Sequence, residues 1–335
     1  MQKIINLDLI DIIPVNSSAF CLKVPGAKFK AMYYRSNSQT YCNVYPEEYN
    51  KDLEITFNKD VFVVPYIEKY FHNLLEILPR VLFLKSINPF FHLVICSTKE
   101  TDLNEKRSMF TSWEKPKEDN NHNLSNIKEF LDMSGISYTC TSTASDFFKN
   151  MVARSAYVFF DLKSTATRGV PNFYPPNYKF LSSQPYHPLT SQTSESVFPF
   201  LDILKESFNI EAISYKNIYI SRKNFPERRL ENEDKLEEFL SDCGYEIVHF
   251  ETMSIRDQIK VVRESKKIIT INGSSLVNCM FANPETEIVA FNNNSAIIGI
   301  YKAACKEYNI KYNLVEMPNN DASWAIDYLK SNNIV

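Results

Sequence analysis

From Asn217 onward short apolar runs alternate with amphipathic ones, and this alternation restricts the C-terminal half to a parallel sheet with crossover helices. NIYIS, YEIVHF, KKIITI, TEIVAF and IKYNLVEM have the length and β-branched content of strands. NEDKLEEFLSDC, SIRDQIKVVRES, SSLVNCMFA and SAIIGIYKAACKEY lie between them with helical spacing, and a last helix follows Asp321. Asn232 is the expected N-cap of the first of these helices and Gly244 its C-terminal cap.

The N-terminal half is less regular. AFCLKV, FKAMYY, LEITF and VFVVP read as strands, followed by an amphipathic helix from about Tyr70 to Lys85, in which Pro79 should make a kink or mark an irregular turn. FFHLVICS (90–97) and AYVFFDL (156–162) read as strands. Residues 124–133 read as a helix closed by Gly135, and 98–123 as an exposed polar loop. A chain of 335 residues suits two domains of roughly 150 residues each. The Pro-, Tyr- and Ser-rich run at 169–198 reads as a linker or an ordered loop. The expected division is therefore an N-terminal α/β domain, 1–200, and a C-terminal Rossmann-like domain, 201–335.

Three constellations could carry chemistry. The first is the strand–turn–helix around Asn272, Gly273, Ser274 and Ser275, with Asn278 one turn further on. Ligands of parallel sheets sit at strand carboxyl ends, and the amides opening a helix there suit a pyrophosphate. An ordinary serine-capped turn has the same look. The second is Ser221 to Arg229, with Arg222, Lys223, Arg228 and Arg229 directly after a strand. Guanidinium forks fit phosphate oxygens, although surface charge runs are also common. The third is the stripe His72, Glu76 and Arg80, spaced by four on one helical face, with Asn73 beside it. His72 or Glu76 could act as general base, while the plain alternative is the wet face of an amphipathic helix.

Together, YFHNLLEILPRVLFL (70–84), IYISRKNFPERRLENEDKLEEFL (218–240) and SIRDQIKVVRESKKIITINGSSLVNCMFANPETEIV (254–289) resemble glycosyltransferase family 61 in order and spacing. The resemblance implies two Rossmann-like domains facing across a cleft, the GT-B type, with inversion at the anomeric carbon and no divalent metal. It implies a nucleotide-sugar donor and a glycan or glycolipid acceptor. Arg222, Arg229, Ser274, Ser275 and Asn278 match donor-binding positions, and Asn272 and Gly273 form the phosphate turn. Glu76 and His72 match the catalytic side of the cleft, with Asn73 and Arg80 beside them. Asn272 stands where the family usually has a His-Gly-Ala-Gly-like turn, which leaves that role to backbone amides. Ala290 stands where an acid is common, so ribose recognition would pass to Asn292 or Asn293.

Other classes fit less well. No GxGxxG, GxSxG or HExxH occurs in the 335 residues. No cofactor and no metal site is expected. A net charge of −3 argues against nucleic-acid binding. The seven cysteines are odd in number and widely spaced, which reads as reduced thiols and a cytoplasmic protein. Asp8 and Asp11 interrupt the apolar N-terminus, so no signal peptide or transmembrane segment is expected, while peripheral membrane contact stays open. The rival from another class is a non-catalytic sugar- or nucleotide-binding protein that retains the fold.

Overall fold

The computed structural model describes residues 11–16, 19–36, 39–49, 52–65, 74, 78–97, 121–142, 150–161, 206, 208, 216–225, 229–292 and 299–335. The chain divides into two compact units. The described residues through Asp161, apart from Leu74, form the first; Leu74 and the residues from Glu206 onward belong to the second. Among the described residues no helix is long and apolar enough to cross a membrane.

The second unit follows the alternation seen in the sequence. Its sheet contains β8 (Lys216–Ile220), β9 (Glu246–Val248), β10 (Ser265–Ile271), β11 (Glu287–Asn292) and β12 (Lys311–Glu316) in the order β12-β11-β10-β8-β9. All four pairings are parallel. Numbered within the unit, the order is 2-1-3-4-5, a doubly wound sheet whose strand order reverses between β8 and β10. Alternation along the strands sends Tyr219, Ile269, Ile271, Val289, Phe291 and Val315 into one buried cluster. The helices Glu233–Asp242 and Ala322–Ser331 cover it with Leu236, Leu240, Ala325 and Leu329. Complete burial of a side chain of this size stabilises by about 1.5–3 kcal/mol.

Gly244 closes helix Glu233–Asp242 as expected. Its φ of 83° admits a left-handed turn, and its N–H and that of Tyr245 donate to Ser241 O and Leu240 O at 2.9 Å each. Asn232 does occupy the N-cap position, but its side chain makes no capping bond. Asp321 caps the last helix by accepting from Ser323 N–H at 2.9 Å. The run SSLVNCMFA forms a 3-10 helix, Ser274–Phe281, where a regular helix was expected.

The first unit is a mixed sheet. Its strands are β1 (Asp11–Asn16), β2 (Ala19–Ser36), β3 (Gln39–Tyr49), β4 (Phe57–Pro65), β5 (His92–Ser97), β6 (Tyr138–Ser142) and β7 (Val152–Asp161). The order is β1-β2-β7-β4-β5-β6, with β3 also on β2. β7, β4, β5 and β6 pair in parallel, whereas β1, β2 and β3 add antiparallel ladders. Only the parallel part has the Rossmann-like character expected of this half. AFCLKV and FKAMYY, read as two strands, belong to the single strand β2. Pro25 does not break it, because it lies in the gap between the β1 pairing, which ends at Lys23, and the β3 pairing, which starts at Ala27. LEITF is not a strand: residues 52–56 are turn and coil, and β4 starts at Phe57.

Two helices of this unit are described. α1 spans Leu78–Ile87 and contains Pro79; residues 75–77 lie outside the described residues, and the expected kink with them. α2 (Asn121–Met133) ends as expected, with Gly135 at φ 60°. Lys85 of α1 donates to Ser134 O just beyond α2. The helices of the second unit are, in chain order, α3 (Glu233–Asp242), α4 (Ile255–Arg263), α5 (Gly299–Glu307) and α6 (Ala322–Ser331).

His92, at the start of β5, is buried and joins β5 to β6. Its Nδ1 lies 2.6 Å from Ser137 Oγ and its Nε2 2.8 Å from Thr139 Oγ1. Burial, reinforced by the charge of Lys59, holds its pKa below the ordinary value of 6.5. The unfolded chain therefore takes up this proton first. The stability His92 contributes is complete above about pH 6.5 and is lost as pH falls from there towards the folded pKa. Urea unfolding at pH 7.5 and 5.5 should show a smaller drop in His92→Gln than in the wild type. Equal drops would show that His92 does not sense pH.

Candidate functional site

β8 and β10 are neighbours, and Ile220, the last residue of β8, pairs with Thr270, the last but one of β10. Their carboxyl ends thus deliver the basic loop and the Asn272–Ser275 turn to the point of strand-order reversal, where open α/β sheets bind ligands. Successive strand residues point to opposite faces. Tyr219 and Ser221 turn towards α3, and Arg222 turns the other way, onto the neighbouring turn.

Arg222 is 7% exposed. Its guanidinium carbon lies 4.8 Å from the centre of the Phe225 ring, a cation–π distance. Its opposite neighbour is Gly273, where an added Cβ would stand 2.5 Å from Nη1 and 3.0 Å from Cζ. Gly273 has φ −177° and ψ −173°, an extended backbone open to any residue. It is the close approach of Arg222, and not the backbone conformation, that a glycine at this position admits. The turn itself is anchored by Tyr301 of α5, whose hydroxyl donates to Gly273 O at 3.1 Å, and by Leu276 N–H donating to the same oxygen at 3.0 Å.

Asn272 is completely buried. Its N–H donates to Phe291 O at 2.7 Å, and its Nδ2 donates to Asn292 Oδ1 at 3.0 Å. Asn292 Nδ2 in turn donates to Glu316 Oε2 at 2.7 Å, so side chains link the ends of β10, β11 and β12. Asn272 Oδ1 and Ser275 Oγ are buried and have no hydrogen-bond partner among the described residues. Asn272 Oδ1 can accept a bond from a ligand at the turn, and Ser275 Oγ can donate or accept one. Neither serine caps the 3-10 helix through its side chain, and Gly273 holds the cap position. Asn278 is buried, and its Nδ2 donates to Gln258 Oε1 of α4 at 2.7 Å. Gln258 also donates to Phe250 O and Met253 O at 2.9 and 3.1 Å. Asn278 therefore ties the 3-10 helix to α4, a bracing role beneath the turn.

Arg229 is exposed, and its carbonyl accepts from Asn320 Nδ2 at 2.8 Å. With Lys223, Leu230, Glu233 and Asn320 it lines a polar cavity of about 540 Å³ whose walls do not include the 272–275 turn. The two basic side chains are thus separated: Arg222 meets the turn, and Arg229 faces this cavity. Arg80 is half-buried in α1. His72, Asn73, Glu76 and Asn293 lie outside the described residues, as do Arg228 and the run at 169–198.

Sequence reading missed Glu233, a buried carboxylate at the start of α3. Its Oε1 accepts from Tyr219 Oη at 2.7 Å, Ser221 Oγ at 3.1 Å and Arg222 N–H at 2.7 Å, and its Oε2 accepts from Leu230 N–H at 3.2 Å. Burial and the adjacent Glu233 charge push the Tyr219 hydroxyl far above its ordinary pKa, which keeps it a donor. In sequence, Glu233 looks like any acid placed in a helix's first turn to favour the dipole.

The doubly wound parallel sheet places this arginine and the glycine-bearing turn at its switch point, where open α/β sheets bind ligands. The family described as Glycosyltransferase 61 matches residues 70–289, which encloses all three resembling segments. The chain belongs to this family and is a glycosyltransferase. Among solved structures it is similar to the glycosyl transferase family 9 protein from Veillonella parvula DSM 2008. The identity there is 9% and the TM-score 0.33, over 84% of this chain and 90% of that one. No curated protein matches the sequence significantly.

Proposed function

We propose that this glycosyltransferase takes a nucleotide sugar as donor and holds its diphosphate at the carboxyl ends of β8 and β10. The observation that carries the reading is the Arg222 guanidinium packed over Gly273 at the switch point. A fixed cation beside backbone amides stabilises charge that develops as the diphosphate leaves. In this reading Arg222 and the amides of Gly273, Ser274 and Ser275 replace a divalent metal, with Lys223 and Arg229 adding positive potential nearby.

The acceptor is a glycan or glycolipid hydroxyl. Its oxygen attacks the anomeric carbon from the face opposite the leaving group, and the bond to the diphosphate oxygen breaks with its electron pair. The configuration inverts, and the hydroxyl proton passes to Glu76 or His72. The two halves, 1–200 and 201–335, then act as acceptor and donor domains of a GT-B enzyme. The cysteine pattern favours a cytoplasmic setting.

The test is calorimetric titration with the diphosphates of uridine, guanosine, cytidine and adenosine, followed by transfer assays with the matching nucleotide sugars in EDTA. Binding of one diphosphate without metal, weakened in Arg222→Ala, is expected, together with turnover in EDTA. If every diphosphate binds Arg222→Ala as it binds the wild type, the site assignment fails. If manganese is needed to restore chelated activity, the metal-free mechanism fails.

A further inference from the structure

We infer that Glu233 is a positioning residue for donor binding: its buried carboxylate clamps both ends of the basic loop and thereby sets Arg222 over Gly273. The inference rests on the diphosphate site proposed above. The loop leaves β8 at Ser221 and re-enters described structure at Arg229 and Leu230. Its first backbone amide, Arg222 N–H, donates to Oε1 at 2.7 Å, and its last, Leu230 N–H, donates to Oε2 at 3.2 Å. One carboxylate thus closes a loop carrying four cations, a role an unbranched apolar side chain could not fill. Tyr219 and Ser221 hold the same oxygen from the strand, so Glu233 is fixed relative to the sheet as well as to the loop.

A second carboxylate extends the arrangement. Glu237, one turn along α3, accepts from Ser221 Oγ at 2.6 Å and pairs with Lys223 Nζ at 3.2 Å. Lys223 N–H in turn donates to Ser221 Oγ at 3.1 Å. The backbone of Arg222 is therefore gripped on both sides, by Glu233 at its own amide and through Ser221 and Lys223 at its neighbours. The guanidinium packs on the Phe225 ring and against the turn. Groups that bind a charged ligand are effective when their supporting shell is rigid.

Glutamine at position 233 retains the shape but places an amide donor against donors, which loosens the clamp. The test measures affinity for uridine and guanosine diphosphate, using the tighter, in wild type, Glu233→Gln, Arg222→Ala and the double variant. Exchange of the Arg222 and Leu230 amides is followed in the variants that keep Arg222. Glu233→Gln should weaken binding about tenfold and speed exchange of both amides, while adding little in the Arg222→Ala background. Glu233→Asp keeps the charge at shorter reach and should fall between; it carries the test if the glutamine variant does not fold. Unchanged affinity with a lowered Tm would mean a purely structural carboxylate and overturn the inference. An equal loss with and without Arg222 would also overturn it. If Arg222→Ala itself binds the diphosphate normally, the donor-site reading fails first, and that outcome is recognised by the wild-type affinity of a variant with Glu233 intact.

Discussion

Gly273→Ala is expected to lower kcat/KM by about 10²-fold while leaving stability within about 1 kcal/mol of wild type, because removing a preorganised charge-stabilising group costs roughly that factor. The backbone at Gly273 is extended, with φ −177°, so alanine introduces no backbone strain. The new Cβ would instead meet Arg222 Nη1 at 2.5 Å and Cζ at 3.0 Å, closer than nonbonded atoms approach. The atoms in the way are the far end of a flexible side chain, and the guanidinium can swing aside at little cost to the fold. That movement takes the positive charge away from the turn. Nucleoside diphosphate affinity and turnover should therefore fall together, and Gly273→Val should be worse than Gly273→Ala. Thermal melts and calorimetric titration of the same preparations check this. Normal diphosphate affinity in a folded Gly273→Val would mean that Arg222 has no part in the site. A large loss of Tm would point instead to a packing role for the glycine.

The largest effect on stability should come from stranding Asp60. This residue is 2% exposed on β4, and its carboxylate is held by Arg154 Nε at 2.8 Å, Lys23 Nζ at 3.1 Å and Asn88 Nδ2 at 3.0 Å. Burial by itself would raise its pKa. The hydrogen bonds and charges of Arg154 and Lys23 outweigh that and hold it below the ordinary carboxylate value. The two cations come from β7 and β2, so one carboxylate joins three strands, and Asn88 links it on to Tyr157 at 2.9 Å. Both cations keep contact with water, with side-chain exposures of 49% and 32%, whereas Asp60 has almost none. Removing the cations is therefore worse than removing the acid, since free cations rehydrate and a stranded carboxylate cannot. Lys23→Met combined with Arg154→Met should cost about 3–5 kcal/mol in urea unfolding at pH 7. Either single substitution should cost well under half of that, because one cation remains. A double variant as stable as the wild type would show that water reaches Asp60. The contribution is present above about pH 3.9 and is lost as pH falls through the depressed folded pKa, so it does not overlap the histidine effect near pH 6.

The course of the second unit could be read from residue order alone. Alternating NIYIS, KKIITI and TEIVAF with helical runs leaves few arrangements other than a parallel sheet, because burial of two faces and the need for crossovers are local consequences of the pattern. Gly244 and Gly135 marked helix ends for the same local reason. The three family segments likewise stand in the sequence. The first unit was harder, because Pro25 looks like a break until β1 and β3 are seen to leave a gap for it. SSLVNCMFA has helical composition, yet Gly273 is held against Tyr301 and Arg222, and the segment winds as a 3-10 helix.

The sequence placed Gly273 in the turn after a strand and Arg222 among phosphate-type cations, without saying that the two meet. That contact depends on β8 and β10 being neighbours although β9 lies between them in the chain, and strand order is a property of the whole sheet. Glu233 was invisible for a related reason. Its partners Tyr219, Ser221 and Arg222 lie 11 to 14 residues away on a strand end, and only the packing of α3 against β8 brings them to one carboxylate. Periodicity and caps are set within a few residues along the chain. Which charge is buried against which turn is set by packing between distant segments, where the loss of water makes every polar group need a particular partner.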